Sequence, residues 1–228
     1  MVTTQDRYLP ALNEFAGMVW GNPQTVLKHH PNGFQFIDLG EFFVAFHSFF
    51  AGTVTHNKLL VRDEYLVAKQ ELETATYQNG AYVTGQPGIG KSWMTFVAPS
   101  ITLVACLMPP GKTLFLIYLL VQRLGERRAA ALPFLDGEGY YALFRGAVTF
   151  HSVHDAAPLH ECPSDVWSLC DSNAYVIHPP GVFQGKIRVR NIQTTSPRPA
   201  RWKEWSKQVR AKCYIMDIWS KEEVVDLA

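Results

Sequence analysis

The segment 85–92, Gly-Gln-Pro-Gly-Ile-Gly-Lys-Ser, most constrains what this chain can fold into. It matches the pattern G-x-x-x-x-G-K-[ST], a glycine-rich loop whose backbone N–H groups surround the phosphates of a nucleotide. In that pattern the lysine reaches the outer phosphates and the hydroxyl binds magnesium. The pattern needs a buried strand before the loop and a helix after it, because a helix N-terminus supplies the unpaired N–H groups that hold phosphate.

The residues before the loop meet this requirement, and the residues after it do not. Residues 81–84, Ala-Tyr-Val-Thr, form a short apolar run that is typical of a strand. A helix beginning at Lys91 would lose a hydrogen bond at Pro99, and the proline pair at 109–110 would end it. We therefore expect no regular helix directly behind Lys91.

A better helix follows a second copy of the motif's ending, Gly111-Lys112-Thr113. Residues 113–128 have the apolar density of a buried helix and end in basic residues, which suit a helix C-terminus. This copy lacks the first glycine of the loop, because Cys106 stands there. The chain thus holds one complete phosphate-binding pattern without its helix and one incomplete pattern with it.

One hypothesis explains both the missing helix behind Lys91 and the second copy of the motif's ending: residues 91–110 are the translation of an unspliced intron. Codons for residues 90–92 can contain GTAAGT, a splice donor, and codons for residues 110–111 can contain the AG of an acceptor. Excision inside codons 90 and 111 keeps the reading frame and joins the loop directly to Lys112. A lineage-specific insertion and a tandem duplication of Gly-Lys are the alternatives.

The candidate nucleotide-binding residues come from both copies of the motif. They are Gly85, Gln86, Pro87, Gly88, Ile89, Gly90, Lys91, Ser92, Lys112 and Thr113. The expected ligand is ATP or another nucleoside triphosphate with Mg²⁺, for which Ser92 and Thr113 are the candidate hydroxyl ligands. Because Lys91 lacks a helix behind it, we expect weak binding by the chain as given.

Alternating strand and helix patterns predict an α/β fold with a mainly parallel sheet flanked by helices. Residues 166–171 form a mainly apolar run that is typical of a buried parallel strand. The other predicted elements are a helix over 59–78, a hairpin from 140–144 and 147–150, a strand over 186–192, a helix over 201–210, a strand over 213–219 and a helix over 221–227.

Two further sites are expected where strands end. Asp171 closes the apolar run, and in P-loop enzymes a strand beside the first one ends in an acid of the magnesium shell. The alternative is that Asp171 only begins an Asp-Ser-Asn turn. Thr195 lies in a polar strand tip, residues 194–196, from which a hydroxyl can sense the terminal phosphate; a strand-end cap is the alternative.

Composition and charge limit the class of protein to which the chain can belong. The 228 residues are 47% hydrophobic and 13% aromatic, which is ample for a core, and the net charge of +1 gives no evident nucleic-acid footprint. The cysteines form no C-x-x-C pair and no signal peptide is visible, so we expect a soluble intracellular protein, in cytoplasm or nucleus. The apolar stretch 93–121 is interrupted by prolines and a lysine, so we expect no membrane span.

Six short segments carry a wider similarity. They are Val-Arg-Asp-Glu-Tyr at 61–65, the loop at 83–91, Asp-Ser-Asn at 171–173, Gln-Thr-Thr-Ser-Pro at 193–197, Arg-Trp-Lys-Glu-Trp at 201–205 and Ile-Trp-Ser-Lys-Glu-Glu at 218–223. Together they resemble the NTPase-like region of Crinkler and retrotransposon-hot-spot-like proteins, which are numerous in fungi.

The resemblance implies an AAA+/STAND-like P-loop fold, in which Asp171 matches the magnesium-binding acid and residues 193–196 match the phosphate sensor. Members commonly continue into a helical lid, so the chain is expected to be truncated at its C-terminus. The additional-strand branch of this superfamily commonly hydrolyses ATP with a glutamate after that aspartate. Here Ser172 stands in that position, which weakens the case for hydrolysis and leaves binding untouched.

The domain prediction is an aromatic-rich segment of unknown role over 1–57 and a P-loop NTPase-like domain over 58–228, with 91–110 as a non-native insert. Two functions remain open. The first is ATP binding that couples nucleotide state to an effector or an unknown protein partner. The second is a degenerate, non-hydrolysing relic that acts as an interaction module or is a non-functional gene product.

Overall fold

The computed structural model describes residues 4–31, 33–50, 54, 56–74, 80–85, 111–134, 137–162, 166–172, 176–184 and 189–217. Its helices are α1 (Thr4–Val19), α2 (Phe43–Phe49), α3 (Asp63–Thr74), α4 (Gly111–Gly125), α5 (Ala157–His160) and α6 (Lys203–Val209). Its strands are β1 (Leu27–His29), β2 (Gln35–Asp38), β3 (Lys58–Val61), β4 (Gly80–Thr84), β5 (Ala130–Pro133), β6 (Gly139–Phe144), β7 (Ala147–Ser152), β8 (Val166–Asp171), β9 (Val189–Thr194) and β10 (Lys212–Ile215).

The main sheet has seven strands in the order β10-β4-β9-β8-β5-β6-β7. The pairs from β10 to β5 are parallel, whereas β6 and β7 extend the sheet with antiparallel pairs. The predicted α/β class with a mainly parallel sheet is therefore confirmed. The strand that ends in Asp171, β8, does not lie beside β4 as expected, because β9 lies between them.

The parallel strands are buried because helices cover the sheet. Every residue of β4 is buried, and β8 is buried up to Cys170. Helix α4 has an almost wholly buried apolar sequence and shares one hydrophobic cluster with α1, α3 and the strands. Continuous apolar strands of this kind are typical of parallel sheets, which are covered on both faces.

The predicted hairpin at residues 140–150 is confirmed. Strands β6 and β7 pair in register from Gly139↔Ser152 to Phe144↔Ala147. The two turn residues, Arg145 and Gly146, have φ of 54° and 75°. Positive φ at both central residues is the type I′ geometry, whose twist matches the right-handed twist of the flanking strands.

The N-terminal residues join the same core through aromatic packing. Phe15 of α1 contacts Phe42 and Phe46, with ring centroids 5.4 and 4.8 Å apart. Strands β1, β2 and β3 form a second, antiparallel sheet, in which Gln35 pairs with Val61 and Asp38 with Lys58. This sheet crosses the predicted boundary between residues 57 and 58.

The helix predicted over 59–78 is wrong at its start. Residues 58–61 form β3 instead, because their alternating burial fits pairing with β2. The helix itself is Asp63–Thr74 and has two acids in its first turn, where the helix dipole stabilises their negative charge.

Three further predictions concern residues outside the described ranges: the insert at 91–110, the helix at 221–227 and the strand residues beyond Asp217. Within the described ranges, no helix combines the length and apolar character needed to cross a membrane.

Candidate functional site

Three strands bring polar residues to one edge of the main sheet. Asp171, the last residue of β8, pairs in register with Thr194, the last residue of β9. Thr194 in turn pairs with Val83 of β4, and the Thr195 N–H donates to the Val83 carbonyl at 2.9 Å. Because parallel strands end at the same edge, the end of β4, from which the glycine-rich segment departs, lies beside these residues.

The carboxylate of Asp171 is held by two hydroxyl groups. Thr113 in the first turn of α4 donates to Oδ2 at 2.9 Å, and Thr194 donates to Oδ1 at 2.7 Å. Both threonines are buried, so their hydroxyls are fixed in place by the surrounding packing. Asp171, Thr113 and Thr194, which we call the carboxylate cluster, join α4 to the ends of β8 and β9.

Lys112 connects this cluster to the start of the glycine-rich segment. Its Nζ donates to the carbonyl of Gly85 at 3.4 Å. Burial lowers the pKa of the half-buried Lys112 side chain, and the negative charge of Asp171 opposes that shift. The lysine is therefore held beside both the first glycine of the motif and the carboxylate.

The environment of Asp171 acts on its ionisation in two directions. Burial raises the pKa of its carboxyl group, and this is the largest influence. The hydrogen bonds from Thr194 and Thr113, and the positive charges of Lys112 and Arg201, lower the pKa. The net result is a raised pKa, so the carboxylate would gain from a further cation.

Gly85 is required by close packing of the backbone. A Cβ atom added there would lie 2.8 Å from the carbonyl oxygen of Met216, which follows β10. Real Cβ atoms essentially never come that close, and both groups belong to the backbone, so one of them would have to move. Any side chain at position 85 would therefore displace either the Gly85 backbone or the Met216 backbone beside it.

The structure brings together four of the predicted site residues: Gly85, Lys112, Thr113 and Asp171. Thr195 lies next to this group, with its own hydroxyl directed to the Ser196 carbonyl at 3.2 Å. The remaining predicted residues, Gln86, Pro87, Gly88, Ile89, Gly90, Lys91 and Ser92, lie outside the described residues.

Two residues that the sequence pattern did not single out lie beside Asp171 in the structure, Thr194 and Arg201. Thr194, which the sequence groups with its polar neighbours, is the hydroxyl that contacts Asp171. Arg201 donates to the Ser172 carbonyl at 3.0 Å and adds positive charge beside Asp171. Strand register decides which hydroxyl faces the carboxylate, so the sequence signal for Thr194 is its place in the polar tip that follows the predicted strand at 186–192.

Two residues of the site carry oxygen atoms that could hold a metal ion, Asp171 and Thr113. Across the described ranges, no three His, Cys, Asp or Glu side chains are grouped to hold a metal ion. Mg²⁺ is usually held by one or two carboxylates together with water and substrate phosphates, so a full protein cage is not required for that ion.

No protein-family model, curated protein or solved structure matches this chain. The chemistry of the site is therefore inferred from its own residues and contacts. The residues that form the site are a lysine and a threonine in the first turn of the buried helix α4, an aspartate at the end of β8, and a glycine that follows β4.

Proposed function

We propose that this chain binds a nucleoside triphosphate, ATP or another NTP, together with Mg²⁺ at the carboxyl edge of its parallel strands. The observation that carries the proposal is the 2.9 Å hydrogen bond from Thr113 to the Asp171 carboxylate. A helix-start hydroxyl and a strand-end aspartate are the two protein groups that hold magnesium in P-loop NTPases.

The positions of charge support phosphate binding. The N-terminus of α4, a helix of 15 residues, supplies unpaired N–H groups and the positive end of the helix dipole. Lys112 lies in the first turn and adds a full positive charge. Bound magnesium would supply charge that neutralises the phosphate oxygens, and Thr113 and Asp171 would hold it.

Strand order supports a P-loop fold of the additional-strand branch. β4 leads into the glycine-rich segment, β8 ends in the candidate magnesium ligand, and β9 lies between them. An extra strand in this position is what the name of the branch describes. The same order agrees with the resemblance to Crinkler and retrotransposon-hot-spot-like proteins, which we retain as a proposal.

The contacts favour Lys112 and Thr113 over Lys91 and Ser92 as the functional pair. Lys112 reaches the Gly85 carbonyl, and Thr113 reaches Asp171. This choice agrees with the hypothesis that 91–110 is an insert, because its removal would leave the loop running directly into Lys112.

Binding is better supported than hydrolysis. The residue after Asp171 is Ser172, whose hydroxyl donates to the Ile177 carbonyl at 3.3 Å and whose own carbonyl accepts from Arg201. A serine held in this way supplies no carboxylate to activate water. This observation counts against hydrolysis under either candidate function: an ATP-binding module that couples nucleotide state to a partner, or a degenerate, non-hydrolysing relic that acts as an interaction module.

The test compares two lysine variants of the full chain. We expect Lys112→Ala to weaken magnesium-dependent ATP binding about 10- to 100-fold, the equivalent of losing a charged hydrogen bond of about 1.5–3 kcal/mol. Lys91→Ala is the matched control and should change affinity less than about twofold. Titration calorimetry with and without Mg²⁺ measures both.

A third variant tests the insert. Deleting residues 91–111, so that Gly90 precedes Lys112, should strengthen binding relative to the full chain. The proposal fails if the folded deletion variant binds no ATP. If Lys91→Ala abolishes binding while Lys112→Ala does not, the assignment of the functional pair is reversed.

A further inference from the structure

A second polar network lies beside the candidate site, between the start of α3 and the end of β10. The hydroxyl of Tyr214 donates to Glu64 Oε1 at 2.7 Å, and the Asp217 N–H donates to the same oxygen at 3.4 Å. Arg62 is buried and donates from Nη1 to the Asp217 carbonyl at 3.2 Å. We call Arg62, Glu64 and Tyr214 the buttress.

The backbone held by the buttress touches the start of the glycine-rich segment. The Met216 N–H donates to the Thr84 carbonyl at 2.7 Å. The Met216 carbonyl is the group that leaves no room for a Cβ at Gly85. The Gly85 carbonyl in turn accepts from Lys112. A continuous series of contacts therefore runs from the first turn of α3 to the lysine of the candidate site.

Arg62 is the costly member of the buttress if its role is purely structural. It is buried, and a buried guanidinium carries a large desolvation penalty. Buried charged groups and their partners are often replaced by well-packed apolar residues at no loss of stability. The feature that an apolar replacement would not reproduce is the fixed position of the Met216 and Asp217 backbone.

We propose that Arg62, Glu64 and Tyr214 are positioning residues, which hold the backbone after β10 against Gly85 and thereby set where the phosphate-binding loop begins. This proposal rests on the proposed nucleotide-binding function. It assigns a role to the Val-Arg-Asp-Glu-Tyr segment at 61–65 that the carboxylate cluster does not use. Glu64 is well placed for it, because a carboxylate in the first turn of a helix is stabilised by the helix dipole.

The chain offers a matched control for the buttress. Lys212 and Glu71 also link β10 to α3, with 3.6 Å between Nζ and Oε2. Lys212 lies at the start of β10, where it pairs with Ala81, whereas Ile215 at the other end pairs with Thr84. The control pair thus joins the same two elements at the end of β10 away from the loop, and both of its side chains are largely exposed.

The experiment compares Tyr214→Phe, Glu64→Gln, the double variant and Lys212→Met in the full chain. We expect each buttress variant to weaken Mg²⁺–ATP binding about fivefold to tenfold, where tenfold corresponds to about 1.4 kcal/mol. The double variant should lose less than the sum of the two single losses, because both changes act on the same contact: Tyr214→Phe removes the hydroxyl, and Glu64→Gln removes the charge that strengthens the hydrogen bond. Lys212→Met should bind like the wild type. Titration of ATP measures affinity, and thermal unfolding shows that each variant is folded.

A second readout does not depend on nucleotide. The Met216 amide, which donates to Thr84, should exchange its hydrogen faster in Tyr214→Phe and Glu64→Gln than in Lys212→Met. If wild type binds ATP and the buttress variants bind equally well, the positioning role is overturned. An equal loss in Lys212→Met also overturns it, because general destabilisation then explains the effect. If neither wild type nor the folded variant that lacks residues 91–111 binds ATP, the proposed function fails, and the exchange of Met216 alone decides whether the buttress fixes this backbone.

Discussion

The parallel and antiparallel parts of the main sheet place their polar groups differently. In the parallel part, β8 and β9 end side by side in Asp171 and Thr194, and these two side chains contact each other and α4. In the antiparallel part, Tyr141 of β6 packs against Phe49 of α2 and Phe150 of β7, with ring centroids 5.9 and 5.2 Å apart. One part gathers hydrogen-bonding groups at an edge, and the other gathers aromatic rings in the core.

Strand direction explains the difference. Parallel strands all end at the same edge, so the residues that follow them meet there. Antiparallel strands end at alternate edges and are joined by tight turns such as the one at Arg145 and Gly146. The polar groups at the parallel edge and the aromatic rings of the antiparallel part lie on different elements, so each set can be changed without the other.

The largest effect is expected in the aromatic core. Phe49 is 2% exposed and contacts Tyr8, Phe134 and Tyr141, so Phe49→Ala should lower the free energy of unfolding by about 3–5 kcal/mol. Val44 lies on the same helix and is 65% exposed, so Val44→Ala should change the free energy of unfolding by less than about 0.5 kcal/mol. Urea denaturation measures both. A large loss of ATP affinity in folded Phe49→Ala would contradict the separation of the two parts.

The next effect is expected at the carboxylate cluster. Thr113→Val removes the hydroxyl that contacts Asp171, and we expect Mg²⁺-dependent ATP affinity to fall by about 1.5–3 kcal/mol, or about 10- to 100-fold. Thr74→Val is the control, because its hydroxyl donates to the Gln70 carbonyl in the last turn of α3 and does not belong to the candidate site. Calorimetric titration gives both affinities. Equal losses in the two variants would show that the contact with Asp171 is not what matters.

A smaller effect is expected from the ionisation of Asp171. Its folded pKa is raised, chiefly by burial, so the folded state binds its proton more tightly than the unfolded state. The stability that this proton contributes is therefore fully present below about pH 3.9 and is lost as the pH rises through the folded pKa. Asp171→Asn should lack this slope. Denaturation of both proteins at several pH values above about 4 tests this, and parallel curves would contradict it.

The smallest effect is expected at a surface ion pair. The Nζ atom of Lys69 lies 2.9 Å from Oε1 of Glu73 and 2.8 Å from Oε1 of Glu126. The second contact links α3 to the residue that follows α4. Lys69→Met should lower the free energy of unfolding by less than about 1 kcal/mol, and the difference should shrink in high salt, which screens exposed charges. Thermal unfolding at two salt concentrations checks this. A loss as large as that of Phe49→Ala would mean that electrostatics, rather than the aromatic core, dominates stability.

The sequence predicts the parts of the site that depend on local pattern. The apolar run behind Lys112 is enough to predict α4, and the apolar run before Asp171 is enough to predict β8. The sequence predicts helix where the structure has β3, because Leu59–Val61 continues an apolar pattern whose strand partner, β2, is distant in sequence.

Contacts that depend on register or on distant partners could not be predicted. A shift of one residue turns every side chain of a strand to the other face, so sequence alone could not choose Thr194 over Thr195 as the partner of Asp171. Helices α1 and α2 were not predicted either, because the aromatic residues that hold them are packed against each other and against strands far along the chain.

The contact between Lys112 and Gly85 also has a consequence for how chain length can vary. These residues bound the segment 86–111, and their contact brings its two ends together. The entropy of closing a flexible segment grows only with the logarithm of its length, so doubling the length costs about 0.6 kcal/mol. A shorter and a longer product of the same gene would therefore differ little in folding free energy at this point. Selection between them would act on what the segment does rather than on whether the protein folds.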